Sequence, residues 1–165
     1  MIELFILYFY FFINMIKLLE HNLLSVAQEI HSVFQSSYAI EAKLLGADNF
    51  PPLNRSINDI VFSDNIFYAF YDDNLLVSVL EICDENNSLH IQSLVVSPDY
   101  FRKGIATKMI NFVFANFKRS KFSVETGIDN IPARRLYQNH GFKELKKWMT
   151  NHGIVKIRYE LYKKY

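Results

Sequence analysis

Between Leu94 and Ile110 the chain reads LVVSPDYFRKGIATKMI. A strand-like run stops at Pro98, and a basic turn carrying Gly104 opens a long helical pattern. The first turn of a helix holds amides without intrahelical partners and the positive end of the helix dipole. Phosphate and pyrophosphate groups sit well there. Gly104 lets the backbone approach a ligand closely, and Ala106 is too small to block it. Arg102 and Lys103 add positive charge, and Thr107 adds a hydroxyl. An ordinary strand-turn-helix with a solvated basic turn has the same pattern, so both readings stand on these residues alone. Neither GxGxxG nor GxxxxGK[ST] occurs, and Rossmann and P-loop chemistry therefore lack their motifs.

A second constellation lies on the strands before this turn. If Leu75–Cys83 and Leu89–Val96 form a hairpin turning at Asp84–Asn87 with an even-numbered loop, Glu81 shares a sheet face with His90 and Gln92, because opposed residues share a face. A carboxylate beside an imidazole can pass a proton or bind an ammonium. A solvated polar strand face is the other reading. Along the second strand Leu89 and Ile91 alternate with polar His90 and Gln92, and after Ser93 the apolar phase moves to Leu94 and Val96. A one-residue slip of this kind is what a β-bulge produces.

The elements that must position these residues follow from periodicity and turn chemistry. Ile16–Leu19 reads as a short strand. Helical patterns follow over Leu24–Gln35, with Leu24, Ala27, Ile30 and Phe34 as the stripe, and over Ser37–Leu45, which stops at Gly46. A loop with Pro51 and Pro52 leads to a short helix over Ile57–Phe62. Ile66–Tyr71 and Leu75–Cys83 flank a turn at Asp72–Asn74. After Leu89–Val96 come a helix over Gly104–Phe117, a strand over Lys121–Thr126, a helix over Ile131–Asn139, and strands over Phe142–Leu145 and Ile154–Leu161. The fold class expected is α/β (α+β): a mixed, mostly antiparallel sheet with helices on both faces, in the order β-α-α-β-β-β-α-β-α-β-β.

The 165 residues suit one domain with a real core, and an apolar share of 50% is globular rather than disordered. With a formal net charge of +1 and no polybasic run, no nucleic-acid partner is expected. The one thiol, Cys83, forms neither an intrachain disulfide nor a zinc cluster alone. Its strand-like apolar neighbours mark it as a packed core residue. No metal is expected, and a reducing, cytoplasmic setting fits.

Residues 1–14 form an apolar extension ahead of the expected domain, 15–165. They lack the basic head and cleavage site of a secretory signal, and the run is short of the roughly twenty residues that cross a membrane. A weak anchor, an extra packed element and a misassigned start at Met15 all remain readings of this segment. No membrane partner is expected for the domain.

Two motifs together resemble the GCN5-related N-acetyltransferase (GNAT) superfamily. The first, L-x-V-x-P followed by [Q/R]-x-x-G-x-[G/A], is met by Leu94–Pro98 and by Phe101–Ala106, with Phe101 standing where the superfamily has Gln or Arg. The second, N-x-x-A-x-x-L-Y-x-x-x-G-F, is met in full by Asn130, Ala133, Leu136, Tyr137, Gly141 and Phe142.

The resemblance implies acetyl-CoA as cosubstrate and direct attack of a primary amine on its thioester. The pyrophosphate would rest on the turn of Arg102, Lys103, Gly104, Ile105, Ala106 and Thr107. The pantetheine arm would pair with the amides of Leu94 and Val96 beside the bulge. Asn130 would contact the cosubstrate or cap its helix, and Ala133 would leave room for it. Tyr137 would donate a proton to the leaving thiolate, while Glu81 or His90 would take the proton of the amine. Arg134 and Arg135 lie near the phosphates or are solvated, and solvation is the preferred reading. The acceptor walls would come from the early helices and their loop (Tyr38, Glu41, Phe50, Arg55) and from the late turn (Trp148, His152). Partners implied are acetyl-CoA and an amine-bearing small molecule or protein, with a homodimer left open. Because Phe101 departs from the pattern and no base is obvious, a non-catalytic acyl-CoA-binding or sensor module on the same fold is the alternative.

Overall fold

β-branched and aromatic residues at alternating positions drive seven segments of the described chain into strands. In a computed structural model of the protein, which describes residues 15–165, these strands form one sheet. β1 (Ile16–Leu18), β2 (Ile66–Asp72), β3 (Leu75–Glu85), β4 (Ser88–Val96), β5 (Lys121–Gly127), β6 (Lys143–Met149) and β7 (Val155–Tyr162) lie in the order β1-β2-β3-β4-β5-β7-β6. The pairings are antiparallel apart from β4 with β5. The helices are α1 (Leu24–Leu44), α2 (Ile57–Val61), α3 (Ile105–Asn116) and α4 (Ile131–Asn139). This is the expected order and the mixed α/β architecture. The readings of the apolar segment 1–14 lie outside the described residues.

Two apolar layers cover the sheet. On one face Ala27, Ile30, Phe34 and Tyr38 of α1 and Ile60 of α2 pack on Phe67, Ala69, Val79 and Val95. On the other, Ile105, Met109, Ile110 and Val113 of α3 and Tyr137 of α4 pack on Leu80, Ile82, Leu89, Ile91 and Phe122.

Several local expectations are corrected. The helical pieces before and after Ser36 are one continuous helix, α1. Nothing between Gln35 and Ser37 breaks it, because Ser36 returns its hydroxyl to the Val33 carbonyl at 3.1 Å. Leu24 is exposed at the head of that helix rather than part of its buried stripe. Cys83 is only partly buried and donates toward Glu85 near the hairpin end, so it is not a core residue. β6 extends to Met149. Lys146 to Trp148 are therefore strand, and the turn before β7 begins at Thr150. Almost every residue of this Lys-rich edge strand is exposed, so it carries no alternating signal.

Ser56 caps α2 by accepting from the Asp59 amide, while the Asp59 carboxylate accepts from the Ser56 amide. This capping box holds the loop that carries Arg55. Ser56→Ala is expected to cost about 1 kcal/mol of stability, read as a shift in the urea midpoint without a change of slope.

The bulge that the phase slip predicts is present. Glu81 pairs with Ser93 and Ile82 with Ile91, so Gln92 is the extra residue of β4. Beyond it β4 and β5 part: their parallel pairing ends at Ile91 with Val124, although both strands continue. The Ser97 amide bonds to the Val77 carbonyl of β3 at 2.7 Å. By antiparallel alternation the amides of Val95 and Ser93 also face β3, which turns those of Leu94 and Val96 toward the open side.

Candidate active site

The parting of β4 and β5 lets side chains from both faces of the sheet reach one cavity of about 340 Å³. Leu94 comes from the bulged strand, and Thr126 and Gly127 from the end of β5. Asn130, Ala133 and Tyr137 come from α4, and Tyr38 and Glu41 from α1. The loop after α1 adds Phe50, Pro51, Pro52 and Arg55, and the β6–β7 turn adds Thr150, Asn151 and His152. The expected acceptor walls thus meet here, apart from Trp148, which lies on β6 beneath the Lys146 ammonium.

The Tyr137 ring is only 4% exposed and sits against Phe142 and Tyr159. Its hydroxyl has no hydrogen-bond partner among the described residues. Burial, then the charge of Glu41 and the neighbouring Tyr38, push its phenol above the ordinary tyrosine value. It therefore stays protonated at neutral pH, with its proton uncommitted. Asn130 caps α4 by accepting from the Ala133 amide at 3.2 Å, and its side chain favours the charged form of the Glu41 carboxylate.

Glu41 is the cavity group that sequence reasoning places only as a wall. Burial raises its carboxyl above the usual range, opposed by hydrogen bonds from Asn130 and Thr126 and by the Lys156 charge. A carboxyl raised above its usual range by burial, in a cavity that also holds a protonated phenol, is a candidate proton acceptor. Because its folded-state value is raised, its contribution to stability is present below the unfolded carboxylate value and is lost as pH rises through the folded one. Glu41→Gln is expected to remove that fall, read as urea midpoints across the acid-to-neutral range.

Glu81 and His90 do not line this cavity. His90 lies opposite Cys83, two residues along β3 from Glu81 and on the same face, yet the two side chains take different partners. His90 Nδ1 meets Ser123 Oγ at 2.8 Å, and burial lowers its pKa, so it is neutral. Glu81 is 0% exposed and is closed in by Arg55, Asn65 and Ser93. Gln92, in the bulge, does reach the cavity wall.

The remaining predicted residues stand at the far end of β4. Past Val96 and a short 3-10 turn over Pro98–Tyr100, Arg102 and Gly104 take left-handed backbone angles, φ 64° and 75°. They aim the chain into α3, whose first residues Ile105, Ala106 and Thr107 hold amides without intrahelical acceptors. A Cβ placed on Gly104 meets no atom of the described residues within 4 Å. The turn therefore has room on its outer side for a phosphate-sized group. Phe101 is exposed beside it. Arg134 is neither solvated nor at this turn. It is anchored on the Ile128 carbonyl, the Tyr159 hydroxyl and Glu144. Arg135 is exposed.

Residues 51–163 match the acetyltransferase (GNAT) domain family. The chain belongs to that family. The GNAT fold recurs in solved structures of low sequence identity. The ribosomal-protein-S18-alanine N-acetyltransferase of Escherichia coli superposes with a TM-score of 0.70 at 16% identity, over 89% of this chain and 92% of that one. The PaiA N-acetyltransferase of Thermoplasma acidophilum, solved with coenzyme A, gives 0.63 at 17% identity, over 87% and 97%. UPF0157 protein YqkA of Bacillus subtilis (strain 168) is 32% identical over 151 residues, which are 91% of this GNAT chain but 44% of that protein. The chain thus spans less than half of this curated relative.

Proposed function

We propose that this protein transfers the acetyl group of acetyl-CoA to a primary amine. The observation that carries the reading is the convergence on one cavity, at the gap between β4 and β5, of a protonated Tyr137 and an upward-tuned Glu41. The residues around the gap fit the cosubstrate. The outward amides of Leu94 and Val96 can receive an extended arm as a further strand would. The turn from Arg102 to Thr107 offers amides, positive charge and open space to a pyrophosphate. Ala133 and Asn130, the cap of α4, line the cavity beside Leu94.

When bound, acetyl-CoA supplies an activated thioester, whose C–S bond is exchanged for a C–N bond to the amine. Glu41 takes the proton that the amine gives up. Tyr137 donates its phenolic proton toward the departing sulfur. The proton count closes when Glu41 returns its proton to the Tyr137 oxygen through solvent. Glu81 and His90, closed in by their own partners, hold the strands that shape the site.

The test is acetyl-CoA-dependent release of CoA thiol with a panel of amino-acid amides, linear polyamines and a peptide with a free α-amine. Glu41→Gln is expected to lower turnover by about 10²–10⁴-fold. It should also abolish an acid limb that, in the wild type, lies above the ordinary carboxylate range because burial raises Glu41. Turnover of the variant equal to wild type would remove Glu41 from the mechanism. Saturable acetyl-CoA binding without thiol release from any amine would favour a non-catalytic acyl-CoA sensor, the reading that Phe101 at the turn supports.

A further inference from the structure

One hydrogen-bond chain runs from the cavity wall to a fully buried carboxylate, and its direction is forced. Glu81 receives Arg55 through both guanidinium nitrogens, at 2.6 and 2.8 Å, and Asn65 Nδ2 at 2.8 Å. A carboxylate held bidentately by a guanidinium is an acceptor only. Ser93 Oγ, 2.9 Å from Glu81 Oε2, must therefore donate its single proton to Glu81. Tyr38, whose oxygen lies 2.9 Å from Ser93 Oγ, must in turn donate its own proton to Ser93. The Tyr38 oxygen has no proton left, and it has a lone pair for whatever enters the cavity it lines. Tyr137, on the opposite wall, is the reverse case, with a proton and no acceptor among the described residues. The charge of Glu41, one turn after Tyr38 on α1, disfavours ionisation of both phenols.

We propose that Tyr38 is a positioning and specificity residue. Its fixed lone pair receives one N–H of the incoming nucleophile and so selects unhindered primary amines over secondary amines and alcohols. The inference rests on the transfer reading above. In the neutral, attacking form a primary amine has two N–H groups. One goes to Glu41, which takes its proton, and the other to Tyr38, leaving the nitrogen lone pair directed at the acyl carbon. A secondary amine or an alcohol has only one such hydrogen, which Glu41 claims, so the Tyr38 oxygen is left facing it without a donor. A buried acceptor left unpaired penalises the wrong substrate more than a hydrophobic wall does.

The experiment compares kcat/KM for the best primary amine of the panel and for its N-methyl derivative, in the wild type and in Tyr38→Phe and Ser93→Ala. The wild type is expected to prefer the primary amine. Tyr38→Phe, which keeps the ring, is expected to lower kcat/KM for the primary amine roughly tenfold and, by removing the acceptor that the N-methyl amine leaves unpaired, to raise that of the N-methyl amine, so that the preference collapses. Ser93→Ala frees the Tyr38 proton to point into the cavity and is expected to erode the preference in the same direction. Equal losses for both amines would mark Tyr38 as merely structural and overturn the proposal, as would a preference that survives both variants. Absence of thiol release by the wild type with every amine would instead overturn the transfer reading, and this proposal with it.

Discussion

Arg55→Met is expected to destabilise the protein by about 3–5 kcal/mol, the cost of leaving one member of a buried ion pair without the other. Glu81 is 0% exposed and Arg55 is 22% exposed, stacked over the rings of Phe34 and Phe67. Without the guanidinium, the Glu81 carboxylate retains, among the described residues, only the neutral partners Asn65 and Ser93. Glu81→Gln in the Arg55→Met background removes the stranded anion and is expected to recover most of the loss. Urea midpoints of the single and double variants measure both effects, provided the slope stays constant. A single-variant loss under about 1 kcal/mol would mean that the pair behaves as a surface bridge. The same pair fixes the direction of the chain through Ser93 to Tyr38, so its stability and the orientation of the acceptor site are one property of the fold.

Tyr137→Phe is expected to lower kcat by about 10²–10⁴-fold while leaving acetyl-CoA affinity nearly unchanged. The hydroxyl is lost, but the ring that packs on Phe142 and Tyr159 remains. Because no described residue uses that hydroxyl, its removal leaves no orphaned partner, and folding stability should change little. Steady-state kinetics beside a thermal melt separates the two readouts. A fall in kcat with an unchanged melting temperature assigns the proton to catalysis. A fall in both in proportion would mark a packing role.

Features that depend on neighbours in sequence are the ones that can be read from it. The slip from Leu89 and Ile91 to Leu94 and Val96 predicts the bulge because side-chain alternation is strictly local. The glycine after two basic residues predicts a helix opening at Gly104, where φ is positive and a side chain is disfavoured. Tyr137, Asn130 and Ala133 come together because they lie on one helix, three to four residues apart.

Contacts between distant segments are not legible in this way. Arg55 meets Glu81 across 26 residues, and Tyr38 meets Ser93 across 55. Neither pair has a spacing or a motif to announce it. Glu41 reads only as a wall of the acceptor pocket, because its burial beside Thr126 at the end of β5 depends on residues far along the chain. Trp148 reads as part of a turn because an edge strand exposed on both faces has no alternating pattern. Arg134 reads as solvated because its acceptors, on β6, β7 and the loop after β5, come within reach only once the sheet is assembled.

The central claim is that acetyl-CoA binds across the gap between β4 and β5, with its phosphates at the turn before α3. Calorimetric titration of acetyl-CoA into the wild type and into Gly104→Trp tests it most directly. A Cβ at this position meets no atom of the described residues within 4 Å, so the indole would occupy the space assigned to the pyrophosphate. The positive φ adds only about 1–2 kcal/mol of strain, and circular dichroism of the variant checks that the fold persists. Saturable binding by the wild type that is lost in the folded variant is the predicted result. No binding by the folded wild type, or equal binding by both proteins, would contradict it.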